Sequence, residues 1–129
     1  MVNTMDFEGK TIIVTGAGGG IGEAYAKASA DRGMNVVIAE LSESGGQRVA
    51  REIEAAGGRA LFVRTDVSDE QSACDCVAAA EKAFGSVNYL INNAAIFGDM
   101  KIEGYLTIDM DYLEKFMRVN AHGALIMTR

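Results

Sequence analysis

Five glycines crowd the seven residues from Gly16 to Gly22 in Thr15-Gly16-Ala17-Gly18-Gly19-Gly20-Ile21-Gly22. The run follows the apolar stretch Thr11-Ile12-Ile13-Val14 and leads into the helix-forming segment Glu23-Ala24-Tyr25-Ala26-Lys27-Ala28. Strand, glycine-rich turn and helix in that order present backbone N–H groups at a helix N-terminus. The unpaired donors and the helix dipole both favour an anion there. Side chains would hold a phosphate away from the backbone, and tight turns of this kind need positive φ. The run therefore predicts a bound nucleotide phosphate.

Other residues fit around that phosphate. Glu40 stands eighteen residues after Gly22, at the end of a second apolar run. An acidic side chain at about that distance accepts from adenosine ribose hydroxyls and repels a 2′-phosphate, so it favours NAD over NADP. The plainer reading is a solvated glutamate at a strand end. Asp66-Val67 follows a third run; the carboxylate there either accepts from an adenine amino group or shapes a turn before Ser68. Asn92-Asn93-Ala94-Ala95 follows a fourth run and either lines a ligand crevice, tying neighbouring strands together, or forms an asparagine-rich turn. Asn120 lies on a mostly apolar helix face, where an amide needs a partner. His122 is the single histidine, which leaves no His-based metal cluster to build and reads as structural or exposed.

These residues must be held by alternating strands and helices. Strands are predicted over 10–14, 35–39, 60–64 and 87–91. Helices are predicted over 21–32, 44–56 and from Ser68 to about Gly85, with Gly33, Gly57 and Gly85 closing them. Ser68 and Gln71 form a capping-box pattern. A loop runs to about Thr107, and a last helix begins near Asp109. Apolar runs without alternation imply strands buried on both faces, hence a parallel sheet covered by helices. Right-handed crossovers give the strand order 3-2-1-4, the first part of a doubly wound α/β sheet of Rossmann type. The last helix keeps an apolar stripe (Leu113, Phe116, Met117, Ala121, Ala124, Leu125, Ile126) almost to Arg129 and shows no stop signal. The expectation is a single dinucleotide-binding domain over 1–129 that is incomplete at its C-terminal side, the front portion of a longer protein.

In order along the chain, Thr15-Gly-x-x-x-Gly20-Ile21-Gly22, Glu40, Asp66-Val67, Asn92-Asn93-Ala94 and Val119-Asn120 together resemble the short-chain dehydrogenase/reductase family. The resemblance runs from about Phe7 to Arg129. It implies an NAD(P)-dependent oxidoreductase that moves a hydride between nicotinamide and an alcohol or ketone. It also implies a cofactor-binding set of Gly16, Gly18, Gly19, Gly20, Ile21, Gly22, Glu40, Leu41, Asp66, Val67, Asn93, Ala94 and Ala95. Asn120 would be the catalytic asparagine that positions a water in the proton relay. A homodimer or homotetramer built on the last helix is implied as well. NADP-using relatives often carry a basic residue before the second motif glycine; Gly19 stands there and again favours NAD.

Two departures accompany the resemblance. Ala95 replaces the family's common glycine. The family's Tyr-x-x-x-Lys is missing: Tyr25, Tyr89, Tyr105 and Tyr112 have no lysine four residues on, and Lys115 follows Tyr112 at three. Residues 1–129 by themselves are therefore expected not to catalyse. The substrate-side segment Ile96-Phe97-Gly98-Asp99-Met100 hints at an apolar lining.

Composition sets outer bounds. The formal charge of −6 argues against nucleic-acid and membrane-surface partners. The N-terminal Met1–Asp6 lacks the pattern of a secretory leader, and a cytoplasmic setting is expected. Cys74 and Cys76 project about 200° apart on a helix and read as ordinary thiols. Glu23-Ala24 after Gly22 excludes a P-loop, which needs Lys-Ser/Thr there. An S-adenosylmethionine-dependent methyltransferase also uses such a glycine run, but gives Asn92-Asn93-Ala94 no role. A non-catalytic dinucleotide-binding fragment is the remaining alternative.

Overall fold

The computed structural model describes residues 6–98 and 100–129. Residues 1–5 of the leader assessment and Asp99 of the apolar segment lie outside them. The elements are β1 (Thr11–Thr15), α1 (Gly20–Ala30), β2 (Asn35–Glu40), α2 (Glu43–Ala55), β3 (Arg59–Arg64), α3 (Glu70–Phe84), β4 (Tyr89–Ile91), α4 (Met110–Met117), a π-helical turn (Arg118–His122) and α5 (Gly123–Thr128). All strand pairings are parallel and the order is β3-β2-β1-β4. The chain moves outward from β1 to β3 and then crosses back to place β4 on the other side of β1. That reversal opens a crevice between the carboxyl ends of β1 and β4.

The sheet has a packed layer on each face. Ile12, Val14, Val36 and Ile38 meet Ala26 of α1 and Val49, Ala50 and Ile53 of α2. Ile13, Val37 and Ala39 meet Ala73, Cys76 and Ala80 of α3 and Met127 of α5. Alternate residues of each central strand thus feed opposite cores, which is why the runs are continuously apolar. Burying each of these valine and isoleucine side chains contributes about 2 kcal/mol. The outer strands differ: β3 is exposed at both ends and half-buried between, and β4 is an open edge.

Helix ends follow local chemistry. Gly33, Gly57 and Gly85 all take positive φ after helices, as expected. Ser42 caps α2 by accepting from the Gly45 N–H. The expected Ser68 cap is corrected: Asp69 caps α3, accepting from the Ser72 N–H at 2.9 Å. Ser68 instead donates its N–H and hydroxyl to Asp66. The last helix begins on Asp109 as expected but is broken by the π-helical turn. Its expected stripe is only partly covered, because Met117, Ala121, Ala124 and Leu125 are exposed and the buried apolar contact is Met127.

Candidate functional site

The crevice at the carboxyl edge widens into a cleft of about 770 Å³. Gly16, Gly19, Glu40, Leu41, Asp66, Val67, Asn93, Ala94 and Ala95 all line it. Sequence positions spread over eighty residues thus meet in one place because four parallel strands end there.

The glycine turn forms its floor. Gly16 (φ 65°) and Gly20 (φ 56°) need the left-handed region. A Cβ at Gly22 would lie 2.2 Å from the Gly16 carbonyl oxygen and 2.6 Å from Asn93 Nδ2. A Cβ at Gly16 would meet Ala94 Cα at 2.8 Å. The turn is therefore pressed against β4's exit with no space for side chains. By contrast, nothing lies within 4 Å of a Cβ at Gly19. Gly19 precedes α1 and offers no side-chain cap. The first intrahelical bond runs from the Glu23 N–H to Gly19 O, so the N–H groups of Gly20, Ile21 and Gly22 have no acceptor within the helix. Gly18, Gly20, Ile21 and Gly22 are not among the lining residues, and the Ile21 side chain is 67% exposed.

Glu40 forms one wall. Its Oε2 accepts from the Gly18 N–H at 2.9 Å and its Oε1 from the Ser42 N–H at 2.9 Å. The carboxylate so links the end of β2 to the glycine turn. Asp66 stands at the end of β3. Its Oδ1 accepts from the Ser68 hydroxyl at 2.6 Å and the Ser68 N–H at 2.9 Å. The Ser68 hydroxyl is the main reason its acidity is strengthened, against the opposing cost of burial. The turn role is what the structure displays for Asp66. Val67 is 7% exposed and packs on Gly123, where a Cβ would come within 2.8 Å of it.

The other wall is Asn93–Ala95. Asn93 Nδ2 donates to the carbonyls of Thr15 at 3.0 Å and Gly16 at 3.2 Å. Thr15 Oγ1 accepts from the N–H groups of Asn93 at 2.9 Å and Ala94 at 3.0 Å. Asn93 thus ties β4 to β1, the strand-joining role expected of the amides. Asn92 reaches the other way, donating to Thr128 Oγ1 at 3.0 Å. Asn120, in the π-helical turn, does not line the cleft. It clasps the backbone of Ile96, which does: Oδ1 accepts from the Ile96 N–H at 2.7 Å and Nδ2 donates to Ile96 O at 3.1 Å. Among the described residues of the expected apolar segment, only Ile96 lines the cleft; Phe97 is 80% exposed.

Sequence reading missed several lining residues. Ala39 and Thr65 are strand ends whose position follows only from the register. Lys101, Tyr112 and Lys115 come from the loop and α4, and no spacing rule links them to the strand ends. Tyr112 Oη accepts from the Lys101 N–H at 3.1 Å. Thr15, the hydrogen-bond hub, carries no signal in the sequence beyond opening the turn.

The family model described as short chain dehydrogenase matches residues 10–129. The chain belongs to the short-chain dehydrogenase family. Members bind NAD(P) and act on small-molecule substrates. An uncharacterized oxidoreductase of Mycobacterium tuberculosis is 51% identical over 123 residues, which are 95% of this chain and 50% of that protein. L-rhamnose 1-dehydrogenase (NAD(P)(+)) of a Sphingomonas species is 42% identical over 95% of this chain and 47% of its own length. Among solved structures, 3-ketoacyl-(acyl-carrier-protein) reductase from Brucella melitensis complexed with NADH superposes with a TM-score of 0.86 at 39% identity, covering 95% of this chain and 48% of that one. The chain spans about half the length of the curated relatives it matches. Among the described residues, no helix is long and apolar enough to cross a membrane and no cluster of potential metal ligands occurs.

Proposed function

We propose that this chain is the cofactor-holding part of an NAD-preferring short-chain dehydrogenase acting on an alcohol or ketone. The observation that carries the reading is the uncapped N-terminus of α1. It opens from a glycine turn flanked by Glu40 on one side and Asn93–Ala95 on the other. The residues fit the cofactor, since Gly16 and Gly22 let the turn pack directly on Asn93 and Ala94, and the space that a Cβ at Gly19 or Gly20 would enter is open. Gly20, Ile21 and Gly22 would offer N–H groups to the pyrophosphate. Glu40 with Leu41 would hold the adenosine ribose, Asp66 and Val67 the adenine, and Asn93 to Ala95 the nicotinamide side. When bound, nicotinamide supplies or accepts the hydride.

The residues of this chain bind and orient; none of them forms the tyrosine–lysine pair the chemistry requires. Residues 1–129 alone therefore hold cofactor without turning over. Asn120 acts through Ile96, whose backbone it fixes at the cleft. NAD is preferred because the Glu40 carboxylate repels a 2′-phosphate and Gly19 offers no cation. The exposed stripe of Met117, Ala121, Ala124 and Leu125 is the face we assign to self-association.

Titration with NADH, NADPH and S-adenosylmethionine tests the reading. Saturable binding of NADH, tighter than that of NADPH, is expected. Preferential binding of S-adenosylmethionine would replace it with a methyltransferase.

A further inference from the structure

Glu40 is not the only charged side chain that grips Gly18. Glu40 Oε2 accepts from the Gly18 N–H at 2.9 Å, while Arg48 Nη2 donates to the Gly18 carbonyl at 3.2 Å. A carboxylate and a guanidinium thus hold the two ends of one residue of the glycine turn. The approach is close because α2 starts against the turn: a Cβ at Gly45 would meet Gly18 O at 2.8 Å. Arg48 lies one turn further along α2, on the same face.

Left to itself, a guanidinium on the same turn residue that Glu40 holds would be a phosphate-binding group. It is planar, always charged and matched to phosphate geometry. Here both terminal nitrogens are engaged. Arg48 Nη2 pairs with Glu23 Oε2 at 2.6 Å and Nη1 with Glu52 Oε1 at 2.9 Å. Lys27 bridges the same two carboxylates, with Nζ 2.7 Å from Glu52 Oε2. Two cations and two anions close into a neutral lattice between α1 and α2. Arg48 holds Glu23 down at about pKa 2, with Lys27 assisting.

We propose that Glu23 and Glu52 determine cofactor specificity by holding Arg48 as a brace on Gly18, withheld from the 2′-phosphate of NADP. The inference rests on reading the cleft as a dinucleotide site. Arg48 is then a positioning residue: it acts on the cofactor through Gly18. Neutralising both glutamates leaves two unbalanced cations, Lys27 and Arg48, beside the turn. The charge that the lattice cancels becomes available to a 2′-phosphate.

The test is fluorescence titration with NADH and NADPH of the chain, of the Glu23→Gln/Glu52→Gln double variant, and of that variant carrying Arg48→Met. The double variant is expected to bind NADPH about fivefold more tightly, the size of a strong surface electrostatic effect, with NADH affinity changed far less. Adding Arg48→Met should remove most of the gain, leaving what Lys27 contributes, and Arg48→Lys in its place should keep more of it. Should the double variant fail to fold, Glu23→Gln alone makes the test with a smaller expected gain, since both oxygens of Glu23 accept from Arg48 while Glu52 gives it one. An unchanged NADPH-to-NADH ratio in a folded variant overturns the proposal while leaving the cleft reading standing. Failure of the unaltered chain to bind either dinucleotide overturns both.

Discussion

Asn93 donates two hydrogen bonds to Thr15 across the β1–β4 crevice, one from its backbone and one from its side chain. The Thr15 hydroxyl oxygen accepts from the Asn93 N–H at 2.9 Å, and Asn93 Nδ2 donates to the Thr15 carbonyl at 3.0 Å. The same hydroxyl donates to Ile91 O at 3.3 Å. The glycine turn and the exit of β4 are thereby one rigid unit.

Replacing Thr15 with valine keeps the shape and removes the hydroxyl. The N–H groups of Asn93 and Ala94 lose their acceptor, which costs about 2 kcal/mol in a half-buried setting. Denaturant melts should show that loss, and NADH affinity should fall with it, because the turn loses its lateral anchor.

Glycine positions in the turn should respond unequally. Gly22→Ala forces a Cβ to 2.2 Å from the Gly16 carbonyl oxygen and should destabilise by about 3 kcal/mol. Gly19→Ala meets nothing within 4 Å and should stay within about 0.5 kcal/mol of the unaltered chain. Thermal unfolding of the two variants compares them directly.

Acid should dissolve the α1–α2 lattice in a defined window. Glu23 is lowered from 4.5 to about 2, first by the Arg48 hydrogen bond and then by that of Lys27. A depressed carboxylate contributes stability that is fully present above its unfolded pKa and is lost as pH falls through the folded one. Glu52 and Asp66 shift in the same direction. The stability difference between the unaltered chain and Glu23→Gln should be constant above pH 5 and shrink toward zero near pH 2, read from melts across that range.

The two thiols should separate cleanly. Cys74 is exposed, while Cys76 is buried and its thiol is pushed up by desolvation. A thiol reagent should modify Cys74 quickly in the native protein. Cys76 should react only after denaturant is added; equal native rates would place Cys76 outside the core.

Much of this was legible in the sequence because it is local. The runs 35–39 and 60–64 are strands because they are apolar, and Gly33, Gly57 and Gly85 end helices because positive φ demands glycine there. The strand order followed from apolar strands covered on both faces, right-handed crossovers and the doubly wound pattern they suggest. What escaped depends on contacts across the fold. Ser68 resembles a cap, but Asp66 competes for its hydroxyl and N–H, and Asp69 takes the cap. The π-helical turn arises where Asn120 must reach Ile96, a partner twenty-four residues earlier. Lys101, Tyr112 and Lys115 reach the cleft through a loop whose path no periodicity encodes.

The cleft reading is tested most directly by amide chemical shifts of the isotopically labelled chain during titration with NADH. The account predicts that shifts concentrate on Gly16 to Gly22, Leu41, Asp66 and Asn93 to Ala95. Amides of the opposite sheet edge, around Gly9, Gly33 and Gly57, should stay in place. Shifts confined to that opposite edge, or none at saturating NADH, would contradict it.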